Sequence, residues 1–175
     1  MCYRVSVLHI PSASPTARRK PLLEAMERLH DSGIHCGSCS GICCTHLANS
    51  MKITRQEALD LKEFLEGAGR WNEDTFTSLR ETVRKYRLDQ ELGNGRKTFR
   101  KTYTCPFFAG GKLGCTIAPT HKPYGCLAFN PRSAGLTEGG DCVSDMETLE
   151  KVDQGDEEKY PIPIALLKLS RSAGC

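Results

Sequence analysis

Two groups of four cysteines set the strongest constraint on this chain. The first lies in "HCGSCSGICCTH", residues 35–46, as Cys36, Cys39, Cys43 and Cys44, a C-x2-C-x3-C-C run. The second is spread over Cys105, Cys115, Cys126 and Cys142. Residues 105–142 are rich in glycine and proline and show no helical or strand periodicity. An irregular stretch of that length is uncommon in a compact domain unless something organises it. Ligands and the need for organisation coincide there.

The chain has 175 residues, 39% hydrophobic but only 7% aromatic. That size suits one domain, with a thin aromatic supply for its core. Metal ligation is one device that adds to apolar burial. The net charge of +3 and pI near 8.3 are mild, and do not leave the strong basic footprint of a nucleic-acid binder. No apolar run approaches the roughly 20 residues of a membrane span. The first ten residues contain Arg4 and His9 and do not read as a signal peptide. The expectation is a cytoplasmic protein with no membrane partner. In that compartment thiols stay reduced, so ten cysteines read as metal ligands rather than a disulfide framework.

The remaining sequence predicts a mainly α fold with long irregular loops organised by metal, or a small α+β fold, in a single domain. Residues 1–17 read as an N-terminal arm or edge strand, 18–160 as the cysteine-cluster domain and 161–175 as a closing segment. Leu22, Leu23, Met26 and Leu29 recur at helical spacing, with Pro21 near the helix start and Gly33 at its end. Thr54 and Glu57 form a capping box. It opens a helix with Ala58, Leu61, Phe64 and Leu65 on one face, stopped by Gly67 and Gly69. Asn72 is an N-cap for a helix carrying Phe76, Leu79, Val83 and Tyr86. Asp74 lies at its positive end and Arg84, Lys85 and Arg87 at its negative end. "GNG" at 93–95 is a turn. "SDME" at 144–147 is a capping pattern opening a short helix, an acidic loop follows, and "PIPIALLKLS" gives a closing helix.

All eight cysteines, Cys36, Cys39, Cys43, Cys44, Cys105, Cys115, Cys126 and Cys142, are candidate metal ligands. Cys2 and Cys175 sit at the termini, where chains fray, and are left out. A C-x2-C loop lets two thiolates converge on one metal. The adjacent pair Cys43-Cys44 is harder to use, because neighbouring side chains tend to diverge. Four thiolates satisfy a structural zinc or a cubane iron–sulfur cluster. Eight satisfy two centres, or one centre with further thiols around it. The order does not match the C-x3-C-x2-C radical pattern or the C-x2-C-x2-C-x3-C-P ferredoxin run. A C-x-x-C redox pair at Cys36 and Cys39 leaves six cysteines unexplained. His35, His46 and His121 read as neighbours of the site rather than ligands. No phosphate-cradling loop, carboxylate pair or dinucleotide fingerprint points to a catalytic reaction.

The first cysteine run, followed by the helix beginning "ITRQEA", resembles the CxxCxxCC or YkgJ-like family, described as zinc- or iron-chelating domains. "CPFFAGGKLGCTIAPTHKPYGCLAFNP" is similar to the second half of that family's pattern through Cys105-Pro106-Phe107, Cys115-Thr116-Ile117 and Pro123-Tyr124-Gly125-Cys126. The resemblance spans about residues 36–131. The chain departs from it in the three residues between Cys39 and Cys43, in Ala118 and in Leu127. It also has His121-Lys122 before the proline where an arginine is usual. The resemblance implies bound metal and no settled reaction. The expectation is a cysteine-ligated centre, an iron–sulfur cluster of the [4Fe-4S] kind, serving redox or electron transfer with a protein partner. The alternative is a zinc-stapled, non-catalytic interaction module or a metal sensing or transfer protein.

Overall fold

Local capping signals set the helices that frame the molecule. The computed structural model describes residues 15–33, 41–90, 100–110, 114–131, 142–152 and 158–172. Cys36, Cys39, residues 1–14 of the N-terminal arm and the turn at 93–95 lie outside the described residues, and residues 15–17 of that arm are the start of the first helix. Six helices occur among those described: α1 (Pro15–Asp31), α2 (Arg55–Gly67), α3 (Glu73–Tyr86), α4 (Tyr124–Ala128), α5 (Met146–Val152) and α6 (Ile162–Ser172). Four short strands join them: β1 (Lys52–Ile53), β2 (Phe129–Pro131), β3 (Cys142–Ser144) and β4 (Tyr160–Pro161). The fold is mainly helical and forms one domain.

The capping box at the head of α2 forms in full. The Thr54 hydroxyl accepts from the Glu57 N–H, and the Glu57 carboxylate accepts from the Thr54 N–H at 2.9 Å. Asn72 caps α3 by accepting from the Thr75 N–H. The α3 helix stops at Tyr86, although the sequence stays helix-compatible beyond it. Arg87 takes a left-handed conformation with φ 49°, and the Leu88 N–H returns to the Val83 carbonyl. That turn carries Leu88 off the helix axis and into the core, where it is 6% exposed.

Two expectations shift in position. The first helix begins at Pro15, so Pro21 stands inside it rather than at its start. Pro15 occupies the first helical position, where a missing N–H costs nothing. At the head of α5 the cap is Asp145, whose carboxylate accepts from the Thr148 N–H at 3.0 Å, whereas Ser144 belongs to β3.

Two apolar clusters hold the helices together. The larger joins Ala58, Leu61 and Leu65 of α2, Leu79 of α3, and Ile162, Ala165, Leu166 and Leu169 of α6. Ile53, Phe107 and Ile117 complete it, and Cys105 and Cys115 pack against its edge. Each fully buried leucine here contributes about 1.5–3 kcal/mol relative to exposure. The smaller cluster joins Leu22 of α1, Tyr124, Leu127 and Ala128 of α4, and Val152 of α5.

Between the two clusters runs a buried ion pair, Arg19 to Asp60 at 2.7 Å, that locks α1 to α2. β1 pairs antiparallel with β4, Ile53 opposite Tyr160, so the segment entering α2 is stitched to the segment entering α6. β2 and β3 form a second antiparallel pair, with Pro131 opposite Cys142. No helix among the described residues is long and apolar enough to cross a membrane.

Candidate metal centre

Backbone hydrogen bonds bring the end of the first cysteine group, Cys43 and Cys44, beside the start of the second. A single 3-10 turn, Ile42–Cys44, carries the last two cysteines of the first group. The chain then runs beside residues 103–105. Cys105 donates its N–H to the Cys44 carbonyl at 2.8 Å, Tyr103 donates to the Asn49 carbonyl at 2.9 Å, and the His46 N–H reaches the Thr104 hydroxyl at 3.2 Å. Cys44 and Cys105, 61 positions apart in sequence, are thus joined directly through their backbones.

Gly41 makes this approach possible. It enters the 3-10 turn with φ 72°, a conformation that glycine adopts without strain. A Cβ at this position would stand 2.5 Å from Cε2 of Phe108. The Phe108 ring therefore lies directly over the glycine, pressing the entry to the 3-10 turn against the segment that follows Cys105. A Gly41→Ala variant is expected to lose about 1–3 kcal/mol of stability through left-handed strain and displacement of that ring. Denaturant unfolding measures the loss, and an unchanged midpoint would show that the two segments are not pressed together here.

Cys105 and Cys115 sit on the two sides of a tight excursion closed by a bridge between Phe108 and Cys115. Ala109 donates to the Gly114 carbonyl and Thr116 to the Phe107 carbonyl. Each sulfur meets a backbone N–H two residues along the chain. The Ile117 N–H lies 3.5 Å from the Cys115 sulfur, and the Phe107 N–H favours the thiolate of Cys105. Such N–H groups stabilise negative charge on sulfur and tune a metal held by it.

Cys126 arrives on α4, a five-residue helix with no periodicity to announce it. Its placement depends on Glu57. One carboxylate oxygen of Glu57 closes the capping box of α2, and the other accepts from the Tyr124 N–H at 2.8 Å. The helix after the first cysteine group thereby fixes the turn that carries a cysteine of the second.

The thiols sense one another. The Cys105 thiol is pushed up from 9.0 to about 12, chiefly by burial and further by the charges of Cys115 and Cys43. Cys126 is raised by burial and then by the charges of Cys105, Cys115 and Glu57, while Lys122 works in the opposite sense. The Cys43 thiol is raised first by its hydrogen bond with Cys44, whose sulfur lies 4.0 Å away, and then by burial. Lys122 opposes that shift as well. Cys43, Cys44, Cys105, Cys115 and Cys126 therefore form one electrostatic neighbourhood. The 3-10 turn aims the adjacent sulfurs of Cys43 and Cys44 together, where neighbouring side chains were expected to diverge.

Cys142 stands on β3 opposite Pro131, on the ladder that leads back to Phe129 and so to α4. No disulfide joins the six described cysteines. His46 is exposed and stacks against Tyr86, with ring centroids 6.2 Å apart. The His121 ring packs against Phe64, and its Nδ1 lies 2.9 Å from the Thr120 hydroxyl.

Among the described residues, no group of three or more histidine, cysteine, aspartate or glutamate side chains is spaced to hold a single metal ion. The chemistry of the donor set nevertheless suits a soft metal. It consists of thiols, and the charging of three of them is opposed by burial and by neighbouring sulfur, a cost that a bound cation removes. Two residues of this neighbourhood escape a reading of the sequence for ligands. Glu57 looks like an ordinary helix cap. Lys122 is signalled only by its place before Pro123. A cavity of about 290 Å3 opens beside Cys43, with Asn49, Met51, Glu57, Tyr124 and Gly125 in its wall. Comparison with protein-family models, with curated proteins and with solved structures gives no match for this chain.

Proposed function

We propose that this protein carries a cysteine-ligated metal centre, an iron–sulfur cluster of the [4Fe-4S] kind. Its four ligands are drawn from both groups, from Cys36, Cys39, Cys43 and Cys44 on one side and from Cys105, Cys115, Cys126 and Cys142 on the other, with the remaining thiols around it. The observation that carries this reading is the direct joining of the two groups: the Cys105 N–H bonds the Cys44 carbonyl at 2.8 Å, beside the Cys43 and Cys44 sulfurs 4.0 Å apart. A bound cluster of this kind supplies one-electron redox chemistry. The chain's own part is to hold and tune it. The N–H groups of Phe107 and Ile117 stabilise charge on two sulfurs. Lys122 offsets negative charge at Cys43 and Cys126. Phe107 and Ile117, both buried, shield one side from water. The role this supports is electron transfer with a protein partner, in the cytoplasm, where thiols remain available for metal.

One observation favours zinc as a second reading. The 4.0 Å between the Cys43 and Cys44 sulfurs is close to the ~3.8 Å separating two thiolates bound at ~2.3 Å in tetrahedral geometry. The protein would then be a zinc-stapled interaction module or a metal sensing or transfer protein. An absorption spectrum with a sulfide assay on anaerobically purified protein separates the two. A broad band toward the blue with acid-labile sulfide is the expected result. A featureless visible spectrum without sulfide rejects the cluster.

A further inference from the structure

Helix α4 carries Cys126 and cannot stand alone. Its five residues, Tyr124–Ala128, are too few for an isolated helix in water. It begins after Pro123 with no capping side chain of its own. The N–H groups of Cys126 and Leu127 turn back onto the Pro123 carbonyl, at 3.0 and 3.1 Å. The Tyr124 N–H heads the helix, where the backbone supplies no intrahelical acceptor. It donates instead to the Glu57 carboxylate of α2, at 2.8 Å. Glu57 is 4% exposed, and a buried carboxylate persists only where donors meet it. The Thr54 N–H and hydroxyl meet its Oε2, and the Tyr124 N–H meets its Oε1. The first two bonds belong to the cap of α2. The third comes from 67 positions along the chain and adds nothing to that cap. A further contact presses the same turn against the chain that leaves the first cysteine group. A Cβ on Gly125 would stand 2.8 Å from the Met51 sulfur. Met51 is itself held, its N–H by the Asn49 side chain and its carbonyl by the Tyr103 hydroxyl.

We propose, on the reading of Cys126 as a ligand, that Glu57 is a positioning residue for the metal centre: as the remote cap of α4 it holds the Cys126 thiol in place and sets how readily that ligand is released. A carboxylate accepting from a helix-heading N–H makes a charge-assisted bond, stronger than a neutral one, and its charge favours the positive end of the helix. Opening α4 breaks this bond, so Cys126 is let go only when the link to α2 gives way. One carboxylate thus serves two helices, and the cap of α2 reports on the thiol of α4.

Site-resolved labelling with N-ethylmaleimide, on the intact protein purified without oxygen, tests the assignment through two opposed variants. In Glu57→Ala the Thr54 hydroxyl can still accept from the residue-57 N–H, as it does in the parent, while the Tyr124 bond is gone. Thr54→Ala does the reverse, weakening the α2 cap and sparing the Tyr124 bond. Glu57→Ala is expected to label Cys126 at least about tenfold faster than the parent. It should also hold metal about 10- to 100-fold more weakly against EDTA. Thr54→Ala should lower the unfolding midpoint yet stay close to the parent in both readouts. A merely structural role for Glu57 would move the two variants alike. Circular dichroism checks that each variant is folded. Unchanged labelling of Cys126 in folded Glu57→Ala overturns the proposal, as does equal acceleration in Thr54→Ala. Amide hydrogen exchange in the parent needs no variant. The Tyr124 N–H should exchange at least about a hundredfold more slowly than an open amide, and exchange at the open rate also overturns the proposal. Metal content of the same samples is a separate readout. A parent without metal rejects the centre, whereas exchange and labelling decide what holds Cys126, so the two failures are distinguishable.

Discussion

A Cys126→Ser variant is expected to leave purification with less than about half the metal per chain of the parent protein, and with lower thermal stability. Cys126 is the thiol through which α4 joins the neighbourhood of Cys105 and Cys115. Replacing a residue that merely orients a ligand costs about 10- to 100-fold in metal affinity, and removing a ligand costs at least as much. Because metal binding and folding are linked, the lost affinity appears as lost stability of the metal-bound protein. Serine is close in size to cysteine, so packing alone gives little change. Cys36→Ser should behave like Cys126→Ser. Cys175→Ser, outside the proposed ligand set, should match the parent in both measurements. Equal metal content in the three variants would reject the ligand assignment.

Arg19→Ala is expected to destabilise the protein by about 3–5 kcal/mol, the usual cost of breaking a buried ion pair from one side. The Arg19 side chain is fully buried, and Asp60 is 2% exposed. The variant strands the Asp60 carboxylate with Gln56, 2.9 Å away, as a remaining partner. It also removes the bond from Arg19 Nε to the Lys122 carbonyl at 2.9 Å and the guanidinium packed 5.0 Å from the Tyr124 ring centroid. At this chain length the loss corresponds to a fall in Tm of roughly 6–20 °C. The double variant Arg19→Met/Asp60→Leu should recover most of it, because apolar replacements remove both desolvated charges together. A fall below about 1 kcal/mol in Arg19→Ala would show that the pair does not tie α1 to α2. The Lys122 bond adds a consequence for the site, since the peptide preceding Pro123 and α4 is anchored by Arg19. Metal affinity should drop in Arg19→Ala at temperatures where the protein is still folded.

What could be read from the sequence was local. Thr54 and Glu57 stand three residues apart and cap the same helix turn, and Asn72 with Thr75 does likewise, so both helix starts are visible in a short window. Leu61, Leu65 and Leu79 follow helical spacing and are buried as that spacing implies. The misplaced cap at α5 has a similar local origin, because Ser144 and Asp145 are both good caps. Pairing of β3 with β2 claims the serine.

The site was legible as a list of cysteines and not as an arrangement. The bond from Cys105 to Cys44, the Phe108 ring over Gly41 and the Glu57 bond to Tyr124 all join residues more than 60 positions apart. No periodicity records them. α4 escaped for the same reason, since its five residues are held by a carboxylate from a distant helix rather than by their own pattern. Lys122 was visible only as a cation before Pro123, and its influence on two thiols depends on the folded chain.

The most direct measurement is elemental analysis of the intact protein purified without oxygen, with total thiols counted after denaturation without reductant. The expected result is stoichiometric iron with matching sulfide, and at least eight reactive thiols once the metal is released. Zinc in place of iron would keep the thiolate site and replace the redox role with a structural or metal-transfer one. A chain with neither metal, and with most of its thiols consumed in disulfides, would contradict the metal centre itself.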